Sequence, residues 1–242
     1  MNDSAFARIF AALLVAIGLA LAGFAVGQGL ERLRLADRSV TVKGLAEIDV
    51  DSDYATWTLA FRRGGNDFGA VQRLLSDDRD RVVKFLQSLG FADDEIEVRP
   101  LQVQDLFARE YAQANQPLRF NGVGRVVVKT ARVAAVEAAA LAVDPLIQAG
   151  VQLTGAEDGP PGPRYQLRGF NEVKSPLLAE ATRNAREQAD KFAAEAGARL
   201  GPLRNANQGV ITISGAEGQG FDDGSSRRKR LRVVSTFEYQ LR

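Results

Sequence analysis

The sequence predicts an α+β protein: an antiparallel or mixed sheet with three packed helices, preceded by one N-terminal transmembrane helix. A single uncharged apolar run occupies residues 9–26. The rest of the chain places pairs of strand-like segments between helix-like segments, in the order β-β-α-β-β-α-β-β-α-β-β. Paired strands between helices favour antiparallel pairing over a doubly wound parallel sheet. This repeated order also allows two subdomains.

The apolar run is predicted to anchor the protein in a membrane. As a helix, residues 9–26 span about 27 Å, which is close to the hydrocarbon thickness of a bilayer. A cleaved signal peptide is the alternative, because Arg8 supplies a basic start and residues 20–22 and 25–27 resemble cleavage sites. The run is long for a signal peptide and continues through both sites, which favours an uncleaved anchor. We therefore divide the chain into a tail, an anchor, a spacer and a body, at residues 1–8, 9–26, 27–35 and 36–242.

The charges that flank the anchor give conflicting indications of its orientation. Arg8 alone precedes the run, whereas three arginines lie closely after it, so a positive-inside count favours a cytoplasmic body. A short N-terminal tail before a signal-like helix ordinarily stays inside, and the chain after the helix is exported. We therefore expect a body outside the cytoplasmic membrane.

The composition excludes several classes of site. The chain has no His and no Cys, so it cannot contain a Ser-His-Asp or Cys-His site, thiol redox chemistry or a His/Cys zinc site. The formal net charge is +1, which supplies no global field to attract nucleic acid. No nucleotide-binding fingerprint is present. We expect no catalytic residues, no cofactor, no metal and no nucleic-acid partner.

The first half of the body contains three strand-like segments and an amphipathic helix. Residues 39–44, 47–51 and 55–61 are extended, and Trp57 and Phe61 share one face of the last strand, which predicts that they fill the core. The helix is predicted over residues 68–89, where apolar side chains form one stripe.

The middle of the chain predicts two strands, a short helix and two more strands. Residues 133–143 are almost entirely Ala and Val, and a helix without a polar face is normally buried. Asp144 and Pro145 are typical of the start of a further helical turn. The strands are predicted at residues 96–103, 123–129, 151–156 and 165–167.

The longest helix is predicted over residues 176–196, opened by Ser175-Pro176. Alanines at 181, 185 and 189 would let it lie close to a sheet. Strands at 210–214 and 231–241 flank a Gly- and Asp-rich loop, residues 215–226. The predicted buried stripe of the helix consists of Leu178, Ala181, Ala185, Phe192 and Ala196.

Five local features are candidates for binding. The acidic turns Asp93-Asp94-Glu95 and Asp222-Asp223 are candidate cation ligands, although acidic turns are common without a metal. Tyr111, in a polar segment, is a candidate contact residue. Gly23 and Gly27 form a G-x-x-x-G that lets membrane helices approach closely. The strongest charge cluster, a candidate interaction site for phosphate, lipid head groups or another subunit, consists of Arg227, Arg228, Lys229, Arg230 and Arg232.

The most informative stretches of the body are its opening, residues 36–47 and 53–57, its long helical segment, residues 170–173 and 181–189, and its end, residues 233–239. In this order they resemble the start, the long helix and the end of the domain that defines the SIMPL-domain family, formerly a domain of unknown function. No single motif is diagnostic, but the ordered set covers essentially the whole body.

The resemblance implies an α+β body in the bacterial periplasm, carried on a single-pass inner-membrane anchor. It also implies homo-oligomers, a loose link to envelope and oxidative stress, and no established enzyme activity. Two hypotheses result: a membrane-anchored protein that assembles without catalysis, or a module that binds a small molecule, peptide or lipid in a cleft. An enzyme would need two carboxylates about 5–10 Å apart in a cleft, which a sequence cannot reveal.

Overall fold

A computed structural model describes residues 13–28, 38–108, 117–155, 162–216 and 220–242. It has the predicted α+β composition, with antiparallel strand pairs and packed helices. The helices are α1 (13–28), α2 (Phe68–Ser88), α3 (Val133–Leu141), α4 (Asp144–Gln148) and α5 (Phe170–Glu195), with a 3-10 turn at Asp93–Glu95. The strands are β1 (Ser39–Asp51), β2 (Tyr54–Gly65), β3 (Ile96–Val98), β4 (Gln102–Asp105), β5 (Phe120–Thr130), β6 (Leu153–Thr154), β7 (Arg164–Gln166), β8 (Leu200–Asn207), β9 (Ile211–Gly215) and β10 (Arg228–Leu241).

The chain forms two compact units. Unit 1 contains Met1–Ala46, Pro176–Ile211 and Val233–Arg242, and unit 2 contains Glu47–Ser175 and Thr212–Arg232. Helix α1 covers most of the predicted anchor, whose residues 9–12 lie outside the described residues. Within the part of the chain that the structure describes, none of the helices has both the length and the apolar character needed to cross a membrane.

Unit 2 is built on a six-stranded sheet. The strand order is β3-β5-β2-β6, and β4 and β7 pair with β5 and β2 respectively. Strands β2 and β5 are antiparallel along their whole length, from Ala55 opposite Thr130 to Gly65 opposite Phe120. Alternation along β2 buries Trp57 and Phe61, as the sequence predicted. Helix α2 packs its apolar stripe on this core through Val71, Leu75, Val82 and Leu86.

A charged residue, Asp78, lies in the middle of the buried stripe of α2. Its carboxylate is fully buried and accepts two hydrogen bonds from Arg63 of β2, at 2.5 and 2.8 Å. Arg81 donates a third at 3.1 Å, and Arg63 also donates to the carbonyl oxygen of Gly150 at 2.7 Å. The hydrogen bond to Asp78 raises the pKa of Arg63. The pair, with the hydrogen bond to Gly150, joins α2, β2 and the turn that follows α4, and it offsets the cost of burying a carboxylate.

Unit 1 depends on close contact between a helix and a strand. Ala181, Ala185 and Ala189 of α5 are fully buried, and Ala185 and Ala189 pack with Val42, Phe237 and Tyr239. A Cβ atom at Gly44 of β1 would lie 1.9 Å from the carbonyl oxygen of Ala181. Alanine on one side and glycine on the other therefore let the backbones approach, which confirms the predicted role of the alanine row.

Helix α5 begins six residues before the predicted start. The Asp53 carboxylate accepts the N–H groups of Arg168 and Gly169 at 2.7 and 2.6 Å, and this holds the chain in place just before the first turn. Pro176 consequently lies inside the helix instead of opening it.

The predicted buried stripe of α5 is also wrong in part. The buried row is Leu177, Ala181, Ala185, Ala189 and Ala193, whereas Phe192 is 56% exposed and Leu178 and Ala196 are not fully buried. Residues four apart lie on one face of a helix, and four members of the row are alanines because only small side chains fit the narrow space beside the sheet.

Other differences from the sequence prediction concern short elements. Strand β8 was not predicted, because it is polar, contains Pro202 and lies at a sheet edge, where proline is tolerated. The predicted strand 96–103 is two strands separated by Pro100. Helix α4 is a fourth helix in the body. Helix α3 buries one row only, and Leu141 is 84% exposed, so its predicted complete burial is wrong.

We predict that Gly44→Ala lowers the free energy of unfolding by about 1–3 kcal/mol, because its methyl group collides with the backbone of α5. Thermal and denaturant unfolding of the purified protein measure the change. Gly155→Ala is the matched control, because no atom lies within 4 Å of the added Cβ. Equal stability of the two variants would contradict the close contact.

We predict that Asp78→Asn lowers the free energy of unfolding by about 3–5 kcal/mol, because it leaves the Arg63 guanidinium without its counter-charge. Denaturant titration measures the loss. Asp77→Asn changes the neighbouring exposed carboxylate and should have almost no effect. A loss below about 1 kcal/mol for Asp78→Asn would show that the pair is not required.

Candidate functional site

The predicted basic cluster faces a row of acidic side chains on β1. Arg230 donates to both carboxylate oxygens of Asp49, at 2.8 and 3.1 Å. Arg232 lies 3.2 Å from Glu47, and Arg228 lies 3.9 Å from Asp51. We call these six residues the charge ladder: Glu47, Asp49 and Asp51 with Arg232, Arg230 and Arg228.

The other two members of the cluster also have acidic partners. Arg227 donates to Glu137 of α3 at 2.9 Å and to Asp51 at 3.3 Å. The Lys229 side chain is fully buried and donates to Asp222 at 2.5 Å. The cluster is therefore neutralised within unit 2, and little of its positive charge remains for phosphate or lipid.

These contacts shift the pKa values of several side chains in and beside the charge ladder. The hydrogen bond from Arg230 lowers the pKa of Asp49, and the same bond raises the pKa of Arg230. Hydrogen bonding to Glu137 raises the pKa of Arg227. The ladder side chains are substantially solvent-exposed, so each pair stabilises the fold only modestly and salt weakens it.

The sequence contained the signal for this ladder. Acidic residues at 47, 49 and 51 and basic residues at 228, 230 and 232 both recur with the period of a strand, so each set lies on one face. What the sequence could not show is that β1 and β10 are neighbours, because about 180 residues separate the two sets.

A cleft in unit 2 lies beside this cluster. Its volume is about 730 Å³, and it is lined by residues of α3, β7 and the chain leading to β10. The Tyr165 ring is 6% exposed, and burial raises the pKa of its phenol. Phe221 is fully exposed at the rim. The polar lining residues are Glu137, Asp223, Ser225, Ser226, Arg227 and Arg228.

In the first acidic turn, the carboxylates of Glu95 and Asp93 bind other groups of the same chain. Glu95 forms an ion pair with Arg132, accepts the hydroxyl of Thr130 at 2.5 Å and accepts the N–H of Ala92 at 2.9 Å. The Arg132 hydrogen bond, with those from Thr130 and Ala92, lowers the pKa of Glu95 to about 2. Asp93 accepts a hydrogen bond from Gln87 at 2.8 Å.

In the second acidic turn, both carboxylates also accept hydrogen bonds from groups of the same chain. Asp222 binds Lys229 and accepts the N–H of Gly224, and Asp223 accepts the N–H and the hydroxyl of Ser225. Among the described residues, no group of three or more Asp or Glu side chains is arranged to hold a metal ion.

The remaining candidates lie near the N terminus and in the polar segment. No atom lies within 4 Å of a Cβ built at Gly23 or Gly27, so the G-x-x-x-G surface has no neighbour in the described part of this single chain. Tyr111 lies outside the described residues.

A comparison with known protein families identifies the family to which this chain is related. The SIMPL family profile, described as a protein of unknown function (DUF541), matches residues 40–233. The chain belongs to the SIMPL family. The match includes β1 at one end and the first part of β10 at the other, so both sides of the charge ladder lie within the SIMPL domain. A search of curated proteins found no match.

We predict that the Glu95 contacts make stability depend on pH. The folded-state pKa of Glu95, about 2, is below its ordinary value of 4.5, so its contribution is complete above 4.5 and is lost as the pH falls towards 2. The stability difference between the natural protein and Glu95→Gln should therefore shrink between about pH 6 and about pH 2.5. Denaturant unfolding across that range measures it.

Asp94→Asn is the matched control for this experiment, because Asp94 is the exposed neighbour in the same turn. Its stability difference should be small and nearly independent of pH. A Glu95→Gln difference that stays constant with pH would contradict the assigned contacts.

Proposed function

We propose that this SIMPL protein is a membrane-anchored, extracytoplasmic protein that assembles with copies of itself and has no catalytic activity. The exposed apolar helix α1 is the observation that carries this proposal. Leu19 and Phe24 are 69% and 67% exposed, and other large apolar side chains of this helix are similarly open. Exposing such a surface to water is costly, and a bilayer would remove that cost.

The absence of catalysis is supported by how the ionisable side chains are used. The chain has no His or Cys. In the charge ladder and the two candidate cation turns, the hydrogen bonds that Asp49, Glu95 and Asp223 accept lower the pKa of each carboxyl group. A general acid instead needs a carboxyl group with a raised pKa.

Self-assembly is favoured by anchoring. Copies confined to one membrane have a higher effective concentration than copies free in solution, so weak contacts between their bodies become sufficient. We place the body on the periplasmic side of the bacterial inner membrane, because a short tail before a signal-like helix ordinarily stays inside. The link to envelope and oxidative stress belongs to this proposal and rests on the family resemblance.

The cleft favours a second candidate function, a binding module for a small molecule, peptide or lipid. Its volume of about 730 Å³ is within the usual range for ligand sites, and aromatic and charged side chains converge on it. Within the cleft, Glu137 and Arg227 form an ion pair. A ligand bound there would contact an aromatic surface as well as one negative and one positive side chain.

We predict that Leu19→Arg moves the protein from the membrane fraction to the soluble fraction. A charge at the centre of a spanning helix costs about 2.5–3.5 kcal/mol of insertion free energy. Glu187→Arg places the same charge on the exposed side of α5 and should leave the protein in the membrane. Recovery of the natural protein in the soluble fraction would contradict the anchor.

Assembly is tested separately by light scattering of the full-length protein in detergent. We expect a protein mass that is a multiple of 26.2 kDa. A mass of 26.2 kDa at high concentration would overturn self-assembly and leave the anchor standing.

A further inference from the structure

The first strand of the body has an open edge. Among the described residues, β1 is hydrogen-bonded to one neighbouring strand, β10. Its 13 residues contain no proline. An edge strand of this length presents a row of unpaired N–H and C=O groups, which is a template for another strand.

Strand β8, which pairs with β10 on the side opposite β1, carries features that discourage edge pairing. Strand β8 contains Pro202, which cannot donate to a ladder, and the exposed Arg204. Its register with β10 shifts twice, between Glu238 and Tyr239 and between Tyr239 and Leu241. Prolines, charges and bulges are the usual devices that prevent edge pairing. Both β8 and β1 therefore carry charged side chains, but of the two only β8 contains a proline.

The exposed face of β1 is self-complementary about its central residue. Leu45 is the midpoint of Ser39–Asp51, is 40% exposed, and has Lys43 two residues before it and Glu47 two residues after it. Lys43 makes no ion pair within the described residues. In an antiparallel pair of two β1 strands centred on Leu45, the two leucines face each other and each Lys43 faces Glu47 of the other copy.

This register also suits the rest of the strand. Thr41 would face Asp49 and Ser39 would face Asp51, which places a hydroxyl beside each carboxylate. On the other face, Val42 would lie opposite Ile48, which is 37% exposed. A slip of two residues would keep Lys43 opposite an acidic side chain, Asp49, but would set Leu45 against Glu47. The centred register is favoured because it pairs Lys43 with Glu47 and also sets the two leucines against each other.

We propose that β1 is the interface at which two copies of this protein pair, antiparallel and centred on Leu45. This inference rests on the proposed self-assembly and names its surface. A two-fold pair uses the same segment from both copies and extends the sheet through backbone hydrogen bonds. Lys43 gains a counter-charge that the described chain does not provide.

The absence of cysteine makes the pairing directly testable. Facing residues of an antiparallel pair have Cα atoms about 4.5–5.5 Å apart, which a disulfide can span. Full-length Leu45→Cys in detergent, under mild oxidation, should become a covalent dimer on a non-reducing gel. Glu187→Cys, on the exposed side of α5, is the matched control and should remain monomeric on the gel.

A mixture of two variants tests the register and does not depend on Leu45. Copies with Lys43→Cys and copies with Glu47→Cys should form a mixed disulfide. Either variant alone should not cross-link, because identical positions then lie about 13 Å apart along the pair. This experiment decides the proposal if Leu45→Cys does not fold.

The outcomes separate this interface from self-assembly in general. A multi-chain mass without a Leu45→Cys dimer or a mixed disulfide would overturn the β1 interface and leave self-assembly standing. A mass of one chain would overturn both. Equal cross-linking of Leu45→Cys and Glu187→Cys would indicate random collision and would also overturn the interface.

Discussion

The charge ladder between β1 and β10 is the constraint that fixes how the first and last strands of the body align in their sheet. Its bidentate rung, Arg230 with Asp49, joins residues separated by 181 positions in the chain. A shift of one residue would turn every acidic side chain to the other face, where Val42 and Ala46 are buried. The ladder thus contributes to the choice of register more than to total stability, because each exposed pair is weak.

Sequence periodicity predicted those parts of the fold whose determinants are local. The burial of Trp57 and Phe61 is encoded in the strand period, and the alanine row of α5 is encoded in side-chain size. The helix period predicted most of the buried stripe of α2, but Leu74 and Leu89, which also fit that stripe, are exposed. The start of α5 is not encoded locally, because it depends on a hydrogen bond from the Arg168 N–H to Asp53, which is 115 residues away. The burial of Asp78 was not predicted, although a charged residue on an apolar stripe indicates a buried partner.

The candidate site was predicted in composition but not in arrangement. The basic cluster was identified by its charge, yet its charge is largely neutralised by acidic side chains of β1 and α3 and by Asp222. Only the fold brings these partners together. Among the described residues, the same fold leaves β1 with one open edge and one paired edge, a property of topology that no single segment encodes.

The sequence distance across the ladder has a consequence for biogenesis. Synthesis at about 5–20 residues per second makes β10 available roughly 10–40 s after β1 has left the ribosome. During that time β1 is without its sheet neighbour, and its apolar face is uncovered because α5 is also made later. Lys43, Glu47, Asp49 and Asp51 then act as solubilising groups on a nascent strand.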